Sequence, residues 1–109
     1  MELQAFLTQL KTHPENIAFD DTMSVIEANY VFTPTAFKNG GTTNEAGQNN
    51  GSCKIFGFGK IHALSVDETL ACFGQYYRDD VLANPHGDDH QNIRHFMKTP
   101  IVHLLHRMK

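Results

Sequence analysis

The chain of 109 residues has no tryptophan, only two cysteines and no long apolar run. Two cysteines, Cys53 and Cys72, do not make a disulfide framework, and they fit the reduced thiols of a cytosolic chain. No stretch approaches the roughly 20 apolar residues of a membrane span, so no membrane partner is expected. The opening Met1-Glu2-Leu3-Gln4-Ala5-Phe6 carries an acid where a secretory signal needs base. Neither sign of charge dominates: 9 Lys and Arg stand against 12 Asp and Glu, a net charge of −3, so a nucleic-acid partner is not expected either. Walker A, GxGxxG, CxxC and HExxH spacings are all missing. Nucleotide hydrolysis, dinucleotide binding and zincin chemistry therefore lack support, and no cofactor is expected.

What is present is material for one core. Eight Phe and three Tyr supply large apolar units within a hydrophobic content of 40%. The length suits a single domain over residues 1–109. Seven histidines would carry the net charge from −3 to +4 on full protonation (−3 + 7), but ordinary surface histidines are the expected reading, ahead of a pH switch.

Periodicity predicts a mainly α protein of five or six helices. Leu3, Phe6, Leu7 and Leu10 fall on one helical face that ends at His13-Pro14. Asp20 and Asp21 offer N-caps for a second helix buried through Met23, Ile26 and Tyr30, which Pro34 limits. Between Lys54 and Leu64 the apolar residues favour a helix over a strand, although Gly57 and Gly59 each cost about 1 kcal/mol there. Ser65-Val66-Asp67-Glu68 is a capping box. It opens a helix with Val66, Leu70, Phe73, Tyr77 and Val81 on one stripe, stopped by Asn84-Pro85. Asp79 and Asp80 then fall near its negative end with no local compensation. Asp88, with Gln91 three residues on, predicts a cap for a helix through Ile93, Phe96 and Met97. Thr99-Pro100 predicts a last short helix through Ile101, Leu104, Leu105 and Met108.

The segment from Thr33 to Ser52 is different in kind, with Gly40, Gly41, Gly47 and Gly51 interleaved with Asn39, Asn44, Asn49 and Asn50. Asn39-Gly40 is a type I′ turn signal, pairing Thr35–Lys38 with Thr42–Asn44 in a small hairpin. A mostly irregular loop of this length in a compact domain points to binding, and Phe32, Pro34 and Phe37 favour an ordered loop.

Four strings carry a family likeness. They are Tyr30-Val31-Phe32-Thr33-Pro34-Thr35-Ala36-Phe37-Lys38-Asn39-Gly40, Ala46-Gly47-Gln48-Asn49-Asn50-Gly51-Ser52-Cys53-Lys54-Ile55-Phe56, Leu70-Ala71-Cys72-Phe73-Gly74-Gln75-Tyr76-Tyr77-Arg78 and His90-Gln91-Asn92-Ile93-Arg94-His95-Phe96-Met97. In this order they resemble the HopJ type III effector-like family of bacterial proteins. The chain departs from that pattern after Met97, where Lys98-Thr99-Pro100-Ile101 stands in place of an expected Gly-Trp pair. The resemblance implies delivery into a host cell by a type III apparatus but no particular reaction. The apolar first helix lacks the polar lead such a signal uses, so a resident cytoplasmic protein is placed ahead of a secreted one.

The expected function is a module binding a protein or small-molecule ligand, a host protein included, through the 33–52 loop. Its contact residues are Thr33, Phe37, Asn39, Asn44, Asn49 and Ser52, with Tyr76, Arg78 and Arg94 as a further polar edge. The alternative is an enzyme of acyl-transfer or thiol-protease type. Cys53 in the first turn of a helix would be the nucleophile and His90 its base, with Asn49 or Asp89 as orienter. A buried structural cysteine is the blander expectation. His86, Asp88 and His90 offer nitrogen and oxygen donors in a short turn, but their spacing matches no metal motif, so no metal is expected.

Overall fold

The computed structural model describes residues 1–39 and 42–98, with Thr42 described by its backbone alone. The chain is mainly helical: α1 (Leu3–Thr12), a 3₁₀ turn (Pro14–Asn16), α2 (Phe19–Asn29), β1 (Phe37–Asn39), β2 (Thr42–Asn44), α3 (Asn50–Ile61), α4 (Val66–Ala71), a π-helical turn (Tyr76–Val81) and α5 (Gln91–Lys98). The helix expected after Thr99 lies outside the described residues.

At the centre is α3. Phe56 and Phe58 sit two positions apart, so they leave the helix on nearly opposite sides. Phe56 meets the rings of Phe37, Phe73 and Phe96 at 6.0, 5.7 and 4.8 Å. Phe58 meets Phe6 at 5.8 Å and Tyr30 at 6.1 Å. A helix buried on both sides must be apolar around its circumference, which is why Lys54–Leu64 shows no clean amphipathic stripe. Of the two glycines that argue against a helix there, Gly59 serves its packing. A Cβ on Gly59 would stand 2.9 Å from Oγ1 of Thr69, so α3 approaches α4 this closely only without a side chain.

Helix starts follow the local chemistry with two corrections. The Ser65 box forms as read: Ser65 Oγ accepts from the Glu68 amide at 3.1 Å, and Glu68 Oε1 accepts from the Ser65 amide at 2.9 Å. For α2, however, the N-cap is Ala18, and Asp21 acts from inside the helix by accepting the Ala18 amide at 3.0 Å. For α5, Asp88 is no cap. The helix opens at Gln91, and the amides of Ile93 and Arg94 bond back to the His90 carbonyl at 3.0 and 3.1 Å.

The helix expected to run from Val66 to Asn84 is broken. It stops at Ala71, turns through Gly74 at φ +60° and resumes as the π-helical turn. The cause is tertiary. A Cβ on Gly74 would stand 2.4 Å from the Phe19 amide nitrogen, so the chain must yield to the start of α2. Thr22 Oγ1 donates to the freed Cys72 carbonyl at 2.8 Å, and Gln75 Oε1 accepts from the Phe19 amide at 3.1 Å.

The hairpin forms with Phe37 opposite Asn44 and Asn39 opposite Thr42. The first strand is Phe37–Asn39 instead of the expected Thr35–Lys38, so Asn39 pairs in the strand and does not turn; residues 40 and 41 lie outside the described residues. Asn39 and Asn44 are fully buried against α5. Asn39 Nδ2 donates to the backbone and side-chain oxygens of Asn92 at 2.6 and 3.1 Å. Asn44 and Asn92 exchange reciprocal amide bonds of 3.1 and 3.0 Å, and Asn49 Nδ2 adds a bond of 2.6 Å to Asn44 Oδ1. His95 Nδ1 lies 3.0 Å from the Asn39 carbonyl.

Two predictions follow from these contacts. Asn92→Ala leaves Asn44 without its reciprocal partner in a buried site and is expected to cost about 2–3 kcal/mol in chemical denaturation. The second concerns His62, whose ring pairs with the Tyr30 hydroxyl and whose pKa burial lowers from the ordinary 6.5. The folded state favours the neutral ring, whereas the unfolded chain protonates near the ordinary value. The contribution is therefore complete above about pH 6.5 and is lost as pH falls through the lowered folded value. Denaturation midpoints are expected to drop between about pH 7 and about pH 5, with a shallower slope in His62→Gln.

Candidate functional site

Four of the residues singled out by sequence meet at one cavity. The chain enters α3 through Asn49, held in the left-handed region at φ +50°, and its side chain turns to Asn44 rather than capping the helix. Among the described residues, the first-turn amides of Asn50, Gly51 and Ser52 therefore have neither an intrahelical acceptor nor a side-chain cap. The chain enters α5 in a similar way through His90, at φ +49°. The two helix starts wall a cavity of about 370 Å³ with Asn49, Gly51 and Ser52 on one side and His90, Gln91 and Asn92 on the other. Phe19, Phe73, Tyr76 and Ile93 supply its apolar surface. A larger concavity of about 620 Å³ lies along α1 and the adjoining turn, where it draws only on the first 16 residues.

The rim is built by side chains that are distant in sequence. The Tyr76 ring packs edge-on to Phe19 at 5.0 Å and lies tilted against the His90 imidazole at 5.3 Å. His90 Nε2 is 2.9 Å from Oδ2 of Asp80 and 3.8 Å from Oδ2 of Asp89. Asp80, uncompensated locally, thus has a partner ten residues away that sequence alone did not reveal. Arg94 fixes the turn ahead of α5: its guanidinium is buried and donates to the Asn84 carbonyl at 2.8 Å, the Asp89 carbonyl at 2.6 Å and Asp89 Oδ1 at 2.5 Å. That guanidinium is the main reason the Asp89 carboxyl sits below the ordinary carboxylate pKa.

The remaining expected contacts lie elsewhere. Phe37, Asn39 and Asn44 are buried, the first in the core and the others in the amide network. The exposed Thr33 uses its carbonyl to accept from Thr35 Oγ1 at 3.0 Å. Arg78 reaches back to the Pro14 carbonyl at 3.5 Å. His86 and Asp88 are exposed. Cys53 is 1% exposed, its thiol donates to the Thr35 carbonyl at 3.6 Å, and burial pushes its pKa up. Cys72 is buried likewise and pushed up to about 12. Sequence reasoning missed Phe19, Phe73, Gln91, Asn92 and Ile93 as cavity walls, because their apolar or capping character reads as structural. The only available signal was that most of them stand inside the strings that carry the family likeness.

The family model of the HopJ type III effector protein matches residues 3–107. Among solved structures, the crystal structure of the unknown-function protein VPA0580 is similar to this chain, with 61% sequence identity and a TM-score of 0.90 over 92% of this chain and 83% of that one. No curated protein matches it. No helix among the described residues is long and apolar enough to cross a membrane.

The setting of the thiols gives a direct expectation. In the native protein neither Cys53 nor Cys72 should react with a thiol reagent at neutral pH, and both should label fully in denaturant. The check is mass spectrometry after timed alkylation, where rapid native labelling of Cys53 in Cys72→Ser would contradict the burial.

Proposed function

Since the chain belongs to the HopJ type III effector protein family, we propose that it acts as a binding module whose site is the cavity between the starts of α3 and α5. The observation that carries this reading is the convergence at that cavity of Asn49, Ser52, Tyr76 and His90, from three separated stretches of chain. The 33–52 loop then has two parts. Its hairpin is an anchor, locked to α5 through Asn39, Asn44 and Asn92, while its far end, Asn49 to Ser52, is the ligand-facing part.

The walls suggest the ligand's chemistry. Uncapped helix amides donate hydrogen bonds and sit at the positive end of a helix dipole, so a group rich in acceptor oxygens fits there. Phe19, Phe73 and Tyr76 fit an apolar or planar body. A cavity of about 370 Å³ lies at the small end of ligand sites, which favours a small molecule or one anchoring side chain of a protein partner. Delivery to a host cell by a type III apparatus is the accompanying reading of where such a module works. It is supported by family membership rather than by any feature of the described residues.

The enzyme alternative needs a Cys53 that ionises readily and meets His90. A thiol buried in the core, bonded to the Thr35 carbonyl and raised by burial, weighs against it. Titration of ¹⁵N-labelled protein with inorganic phosphate and with short carboxylates tests the binding reading. Saturable amide shifts are expected at Gly51, Ser52, Gln91 and Asn92, and Ser52→Phe, which fills the cavity, should remove them. Shifts scattered over the surface and untouched by that replacement would count against the site.

A further inference from the structure

We propose that Asp80, Asp89 and His90 form a binding site for a divalent transition-metal ion at the rim of the cavity. One donor atom from each, a carboxylate oxygen of either aspartate and a ring nitrogen of the histidine, lies within 4.8 Å of the others. The imidazole nitrogen stands 2.9 Å from Asp80 and 3.8 Å from Asp89. An ion held at about 2.1 Å needs neighbouring donors about 3.0 to 3.4 Å apart, in octahedral or tetrahedral arrangement, so these spacings bracket what it asks for. The set is mixed rather than purely acidic. One imidazole and two carboxylates suit zinc, manganese or ferrous iron better than calcium, which prefers oxygen throughout.

Features outside the three donors bear on the site. His90 also walls the cavity while the side chains of Asp80 and Asp89 are open to solvent, and three protein donors leave at least one coordination position for water or a small ligand. This is the arrangement of working metal centres, whereas structural sites close all positions with protein. The second oxygen of Asp89 is already tied to Arg94, which leaves Oδ2 as the donor and fixes the carboxylate's orientation, the usual task of an outer-shell partner. Asp80 stands in the π-helical turn, a rare geometry that is frequent at functional sites. The sequence reading looked for donors in His86, Asp88 and His90. Only His90 survives from that set, because its true neighbours come from the preceding helical turn and from Asp89.

The site does not depend on the cavity taking an organic ligand, and its test reads metal alone. Metal-stripped protein is titrated with Zn²⁺ and with Mn²⁺ by calorimetry, with Ca²⁺ as comparison. One equivalent of Zn²⁺ is expected, with affinity falling about tenfold or more in Asp80→Asn and in His90→Gln but holding in His86→Ala. Circular dichroism establishes that each variant is folded. Because a variant can fail to fold, Mn²⁺ is also added to the ¹⁵N-labelled wild-type protein, where paramagnetic broadening should centre on Asp80, His90 and Tyr76. Absence of Zn²⁺ and Mn²⁺ binding, affinity unchanged by Asp80→Asn and His90→Gln, or broadening centred elsewhere would each overturn the site and leave the three residues as an ion pair.

Discussion

The buried carboxamides of Asn39, Asn44 and Asn92 are the contact on which the rest of the functional end depends. A side-chain amide out of water is costly unless its donors and acceptors are met; here the amides meet one another, except that Asn39 Oδ1 has no hydrogen-bond partner among the described residues. The geometry needed to do so fixes the hairpin against α5. Through the bond from Asn49 to Asn44, it also fixes where α3 begins. The network adds a polar lock at the helix starts to the ring stacking of Phe56 on Phe96, which joins α3 to α5 in the core.

Packing around α3 sets the frame within which that network closes. Phe56 and Phe58 fill opposite sides of one helix, so α1, α2, α4 and α5 are arranged about it rather than stacked in a row. The break at Gly74 follows from that crowding, since the start of α2 occupies the space a continuous helix would need. The break in turn frees Tyr76 to reach Phe19 and His90, and sets Asp80 on the π-helical turn. A packing conflict at a single glycine thus positions two residues of the rim. Arg94 completes the arrangement by holding Asn84 and Asp89 with one buried guanidinium, a bidentate grip that a lysine could not reproduce.

Much of the fold was legible in the sequence because its signals are local. The stripe of Leu3, Phe6 and Leu10 and the Ser65–Glu68 box act within a few residues and stand in the structure as α1 and the start of α4, whereas the hairpin forms in a shifted register, with Asn39 in the strand opposite Thr42 instead of in the turn. The helical reading of Lys54–Leu64 held for a reason the sequence could not show, the close approach of Thr69 to Gly59. The misreadings are equally physical. Asp20, Asp21 and Asp88 are good caps by type, but chain direction and contacts decide which residue stands at the start, and Ala18 and the turn through His90 took those places.

The candidate site divides along the same line. By itself the sequence determined a helical fold, a family likeness and a polar Gly/Asn segment too unusual to be plain connection, because residue type and short spacing carry that information. Tertiary structure alone decided that Asn39 and Asn44 brace the loop while Asn49 and Ser52 face the cavity, that Cys53 belongs to the core, and that Asp80 meets His90. Each of those outcomes is a matter of which side a residue presents and what stands opposite it. Asparagines in one loop are chemically alike until a partner such as Asn92, 48 residues away, distinguishes them.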